Sequence, residues 1–140
     1  MLYKYKPGPE DYKEYSKGNL MARMVTAGDG RFRMGFAKFS SGVTYERAMW
    51  FDEVFYIIKG KMKFKYRSYI PPERGVEKTL EVNAGEAVFM SRGTWMQWEC
   101  EEGTEIFYCA MPASSGFPAS GVDFILRQEI APEERHVRTY

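Results

Sequence analysis

Apolar and polar residues alternate in short runs along most of the chain. The clearest run is Lys61-Met62-Lys63-Phe64-Lys65-Tyr66, with Met, Phe and Tyr on one face and three lysines on the other. A period of two predicts a half-buried strand with one solvated face. Similar runs predict strands over residues 22–27, 34–39, 43–50, 53–59, 61–66, 79–82, 86–90, 96–100 and 105–111. Turn residues separate them: Gly28-Asp29-Gly30, Ser41-Gly42, Gly60, Asn83-Ala84-Gly85, Arg92-Gly93 and Glu102-Gly103. The polar stretch 1–20, with Pro7, Gly8, Pro9 and Gly18, reads as an N-terminal arm. Residues 68–78 read as a surface loop on the strength of Pro71, Pro72 and Gly75. Beyond residue 112 the chain leaves the sheet, and 123–135 has room for a short helix broken near Pro132.

Many short strands with tight turns predict an all-β sandwich or barrel. We therefore expect one barrel over 21–115, an arm over 1–20 and a C-terminal arm over 116–140. At 140 residues and 44% apolar, the chain can fill one core and not two. Its ten Tyr, ten Phe and three Trp suit strands. A net charge of +1 predicts no nucleic-acid partner. No apolar run approaches the length of a membrane span or a signal peptide, so a cytoplasmic protein is expected. Cys100 and Cys109 are then expected to stay reduced, although neighbouring strands could bring them close. Gly28-Asp29-Gly30 lacks the strand–loop–helix setting of a phosphate loop and reads as a turn.

Two segments narrow the architecture. The first is Gly42-Val-Thr-Tyr-Glu-Arg-Ala-Met-Trp-Phe-Asp-Glu-Val-Phe-Tyr-Ile-Ile-Lys-Gly60, and the second is Gly85-Glu-Ala-Val-Phe-Met-Ser-Arg-Gly93-Thr-Trp-Met-Gln-Trp-Glu-Cys100. They resemble the two motifs of the cupins. Glu53 stands seven residues before Gly60, as the first motif requires; Gly85 and Gly93 match the second, with Ser91 in the proline position. The resemblance implies a small double-stranded β-helix, a jelly-roll barrel. Within the cupins the chain resembles the ethanolamine-utilisation Q-protein group, through Gly35-Phe36, Phe51-Asp52-Glu53 and Phe107-Tyr108-Cys109-Ala110-Met111-Pro112.

The metal-binding histidines of the motifs are missing. Counting back from Glu53, the first pair falls on Arg47 and Met49, or on Glu46 and Ala48; counting from Gly42 it falls on Ala48 and Trp50. The second-motif histidine falls on Met96, and the chain's one histidine, His136, lies in the tail. Thioethers are poor ligands for hard divalent ions, so no metal and no other cofactor is expected. Of the family's metal set only Glu53 remains. It is either a paired structural carboxylate, with Arg47 the candidate partner, or a general acid or base in a dry pocket.

The aromatic residues have two readings as well. Trp98 shares strand parity with Met96, and Tyr45 shares it with Arg47 and Met49. Together with Trp50 they are either core packing or the lining of a small-molecule pocket. Aromatic rings plus one carboxylate suit a cationic amine. Two functions follow: a metal-independent small-molecule-binding cupin, or a proton-transfer enzyme such as an isomerase or lyase that uses Glu53 and tyrosines. The resemblance also implies a homodimer.

Overall fold

The computed structural model describes residues 4, 6–17, 20–28, 33–39, 43–49, 51–68, 72 and 74–111. The expected helix at 123–135, His136, Trp50 and the C-terminal arm lie outside the described residues. Ten strands are described: β1 (Lys13–Lys17), β2 (Leu20–Gly28), β3 (Arg33–Phe39), β4 (Val43–Ala48), β5 (Asp52–Lys59), β6 (Lys61–Ser68), β7 (Glu77–Asn83), β8 (Ala87–Met90), β9 (Thr94–Cys100) and β10 (Glu105–Met111). They form a six-stranded sheet, β1-β2-β3-β10-β5-β8, and a four-stranded sheet, β4-β9-β6-β7. From β3 to β10 the chain passes from one sheet to the other at nearly every turn; the β6–β7 hairpin is the exception. This crossing is what winds a double-stranded β-helix, and the all-β barrel expected from the sequence is the fold observed.

All nine expected strands are present, eight with shifted ends and β10 with the expected bounds. The tenth, β1, lies inside the polar arm and pairs antiparallel with β2. Its sequence, Lys-Glu-Tyr-Ser-Lys, has too little apolar content to announce a strand. Charged edge strands of this kind are a common way to blunt a sheet edge. β4 stops at Ala48, and Met49 instead exchanges backbone hydrogen bonds with the β8–β9 turn: its N–H donates to the Thr94 carbonyl at 2.7 Å, and Gly93 N–H donates to its carbonyl at 2.9 Å.

The core lies between the sheets. Phe55 and Ile57 of β5, Met62 and Phe64 of β6, Met96 and Trp98 of β9, and Ile106 and Tyr108 of β10 all point into it. The alternation that predicted β6 is realised, with Met62 and Phe64 buried and Lys63 and Lys65 exposed. Cys100 and Cys109 are both free thiols. They do not lie on neighbouring strands: β9 and β10 belong to different sheets, and Cys109 points away from the core.

Candidate functional site

Glu53 is set in place by strand pairing on both sides. On β5 it stands opposite Ala110 of β10 and Met90 of β8. Its neighbours on the same face, Phe55 and Ile57, are core residues, so parity carries the carboxylate inward, and it is 2% exposed. Across the barrel, Met96 and Trp98 of β9 face the same interior and are equally buried. Trp98 meets Phe55 edge-on, at 6.1 Å between ring centroids and 87° between planes, and Phe39 likewise at 5.3 Å and 77°. Both geometries are favourable aromatic contacts.

Glu53, Met49, Met96 and Trp98 are thus four sequence-derived candidates that enter the buried interior together. The β4–β9 register sets Arg47 opposite Met96 and Tyr45 opposite Trp98. The side chains of Tyr45 and Arg47 lie outside those described, as does Trp50 entirely.

The other carboxylates near Glu53 in sequence are engaged elsewhere. Glu46 accepts a hydrogen bond from Trp95 Nε1 at 3.1 Å. Trp95 is itself covered by the Arg67 guanidinium, 4.2 Å from its ring centroid. Asp52 accepts one from the Arg92 backbone N–H at 2.8 Å. Among the described residues no three His, Cys, Asp or Glu side chains converge. The residue set does not fit the metal that the cupin motifs ordinarily hold: one carboxylate facing thioethers and rings offers too few donors of the right kind.

A cavity of about 230 Å³ opens beside this interior, between β6 and β7 of one sheet and β8 of the other. Phe64, Tyr66, Leu80, Val88, Met90 and Met96 supply its apolar wall, and Ser68, Ser91 and Thr94 its polar side. The Ser91 and Thr94 hydroxyls are 3.3 Å apart. Leu80 occupies a core-facing position yet stays 43% exposed, because β7 and β8 are sheet edges and leave a slot between them. Met90 and Met96 belong both to the slot wall and to the core. Glu53 itself is not in the wall.

A larger cavity, about 460 Å³, lies over the outer face of the four-stranded sheet among Lys63, Lys65, Thr79, Glu81, Gln97 and Glu99. It is a solvated groove between opposite charges, typified by the exposed Lys65–Glu77 pair at 3.2 Å. Phe64, Leu80 and Trp98 also line it, but no residue beside Glu53 on β5 or β8 does; the smaller slot reaches Met90, which stands opposite Glu53, and is the better candidate.

Sequence reasoning missed Tyr66, Leu80, Val88 and Met90, which meet only because distant strands do. It also missed Tyr108, the nearest inward-facing tyrosine: it pairs with Phe55, one inward position along from the Ala110–Glu53 pair. On the outer side of the same sheet, the Cys109 thiol is pushed above its ordinary value, first by burial and then by the negative charge of Glu53.

Alternating sheets wound around one inward motif glutamate define a cupin barrel. Over residues 26–108 the chain matches the EutQ-like cupin domain, and it belongs to that family. The fold is similar to an RmlC-like cupin from Shewanella frigidimarina, with 19% identity, TM-score 0.58, and 81% of this chain and 95% of that one covered. It is also similar to the Clostridium difficile EutQ protein, with 16% identity, TM-score 0.52, and 78% and 82% covered. A Streptomyces PAC13 variant with uridine shows the same fold at 14% identity and TM-score 0.55, with 79% and 84% covered. No curated protein sequence matches the chain significantly.

Proposed function

We propose that this protein is a small-molecule-binding cupin that works without a metal in the cytoplasm, its ligand a small cationic amine. The observation that supports this most is the inward carboxylate of Glu53 behind a slot walled by rings and thioethers. An ammonium group is the complement of such a site: it neutralises the carboxylate and packs against aromatic faces. Entry is through the slot between β7 and β8, past Met90, whose unbranched side chain repacks readily. The Streptomyces neighbour was solved with uridine, which agrees with a role of this fold in holding small organic ligands. That neighbour is too distant to transfer the ligand itself.

The test is calorimetry and thermal melting with a panel of small primary and quaternary amines and their neutral isosteres. Amines should raise the melting temperature, and at a hundredfold excess over Kd the gain is about 2.7 kcal/mol. Glu53→Gln should remove that gain. Equal binding of the neutral isosteres, or undiminished binding by Glu53→Gln, would refute the proposal.

The enzymatic reading rests on one placement, Tyr108 beside Glu53 on the inward face. A carboxylate and a phenol side by side can take and return a proton at one substrate carbon. That reading requires a product, lost in both Glu53→Gln and Tyr108→Phe.

A further inference from the structure

Antiparallel sheets usually carry apolar residues on the core face and polar ones outside. The four-stranded sheet obeys this, with Lys63, Lys65, Glu81 and Glu99 exposed on its outer face. The six-stranded sheet does not. Strand register lines up Phe36, Phe107, Tyr56 and Ala87 in one row across β3, β10, β5 and β8. The next row along the strands is Met34, Cys109, Val54 and Phe89. All eight point away from the core, as shown by their alternation with the buried residues of each strand. Six large apolar side chains are exposed among the described residues, and four of them, Tyr56, Ile58, Phe89 and Met111, stand on this one face. Phe89, at 65%, is the most exposed. A concentration of this kind marks an interaction surface.

The size, composition and charge of the face fit a second copy of the chain. Six strands about 4.8 Å apart, and the seven residues of β10 at about 3.4 Å each, span about 29 by 24 Å. That is about 700 Å² on one copy and about 1,400 Å² on two, within the range of a standard stable interface. The two central rows hold rings, methionine and aliphatic side chains, and no charged residue. The charges stand at the strand ends: Lys38, Glu105 and Lys59 in one row, and Asp52 beside Met111 at the far end. An apolar, ring-rich centre inside a polar rim is the composition of a homodimer interface. The two positive and two negative rim charges cancel, so the face offers no complement to a strongly acidic or basic partner and does not repel its own copy. β10 lies inside the sheet, between β3 and β5, so a twofold axis through the middle of the face sets Cys109 under the opposing sheet.

We propose that the outer face of the six-stranded sheet is where a second copy of this chain docks, sheet against sheet, with Phe107 and Cys109 near the twofold axis. The sheet is then apolar on both faces because both are buried, one in the barrel and one between copies.

Tyr56 and Phe89 are exposed in the single chain, so charging them leaves the barrel core untouched. Tyr56→Glu and Phe89→Glu should each weaken the dimer at least tenfold by sedimentation, with the circular dichroism of the barrel unchanged. Lys63→Glu, on the outer face of the other sheet, should leave the dimer as it is. A monomer at every concentration, a dimer indifferent to both glutamates, or equal weakening by Lys63→Glu would overturn the proposal. Should the glutamate variants fail to fold, Cys109 in the unsubstituted chain decides, since Cys100 is buried in the core. Alkylation of Cys109 should slow at least tenfold as protein concentration rises through the dimer dissociation constant. A rate independent of concentration, whether fast or slow, would overturn the proposal.

Discussion

Gly60 and Gly85 are both motif glycines, and both have a positive φ, 84° and 88°. They differ in what surrounds them. A Cβ added at Gly85 meets nothing within 4 Å, whereas at Gly60 it would stand 2.5 Å from Thr104 Oγ1 and 2.9 Å from Thr104 Cα. Thr104 cannot retreat easily: it is fully buried, and its hydroxyl donates to the Glu101 carbonyl at 2.7 Å. Gly85→Ala should therefore carry only the left-handed conformational cost, about 1–2 kcal/mol. Gly60→Ala adds an overpacking cost of about 1–3 kcal/mol, for a total of about 2–5 kcal/mol. For a chain of this size 1 kcal/mol lowers the melting temperature by about 4 °C. The expected drops are then about 4–8 °C for Gly85→Ala and about 8–20 °C for Gly60→Ala. Urea denaturation with an unchanged m-value would confirm that the native state is what has been strained. Equal losses for the two variants would refute the argument that Gly60 is required by close approach to Thr104 as well as by its φ.

Three further outcomes follow. Elemental analysis of protein purified without chelators should show well under one transition metal per chain, since one carboxylate and thioethers cannot hold one tightly. Sedimentation at micromolar concentration should give a mass near twice 16.3 kDa, and a mass near 16.3 kDa would remove the homodimer. Cys109 should ionise above the ordinary 9.0, and Glu53→Gln should move it down, since loss of the nearby negative charge favours the thiolate. The pH-dependence of Cys109 alkylation measures both. Because the folded-state value is raised, the thiol's contribution to stability is present below the unfolded value and is lost as pH climbs past it.

The barrel was legible wherever one strand carried its own evidence. Lys61–Tyr66 alternates so cleanly that its buried face could be named from sequence, and the parity of Glu53, Phe55 and Ile57 settled the carboxylate's direction. Gly60, Gly85 and Gly93, read as motif glycines, do have positive φ. Two things were not legible. β5 is apolar on both faces, Glu53-Val54-Phe55-Tyr56-Ile57-Ile58, and periodicity does not say what covers the outer one; only the register with β10, β3 and β8 shows that its outer residues join a patch. The slot was hidden for a related reason. Leu80 and Met90 line one slot only because β7 and β8 are the edges of different sheets, a long-range fact that no local pattern encodes. Trp95 shows the same limit: it is buried on an outer face because Arg67, from another strand, lies over it.

Met90 is the residue on which the proposed route to Glu53 depends. It stands directly opposite Glu53 on β8, is buried, and forms part of the slot wall. Truncation to alanine should connect the slot with the carboxylate, at a stability cost of about 2–5 kcal/mol for a buried methionine. Met90→Leu keeps the volume and should cost less than about 1.5 kcal/mol, so it controls for general perturbation. If the ligand passes Met90 to reach Glu53, the association rate for an amine should rise about tenfold in Met90→Ala and stay near wild type in Met90→Leu. If Met90 is instead part of the seat, the alanine variant should lose affinity through faster dissociation, with association unchanged. Stopped-flow measurement of both rates distinguishes these outcomes. Unchanged rates in Met90→Ala, in protein shown to be folded, would mean that the ligand does not enter between β7 and β8.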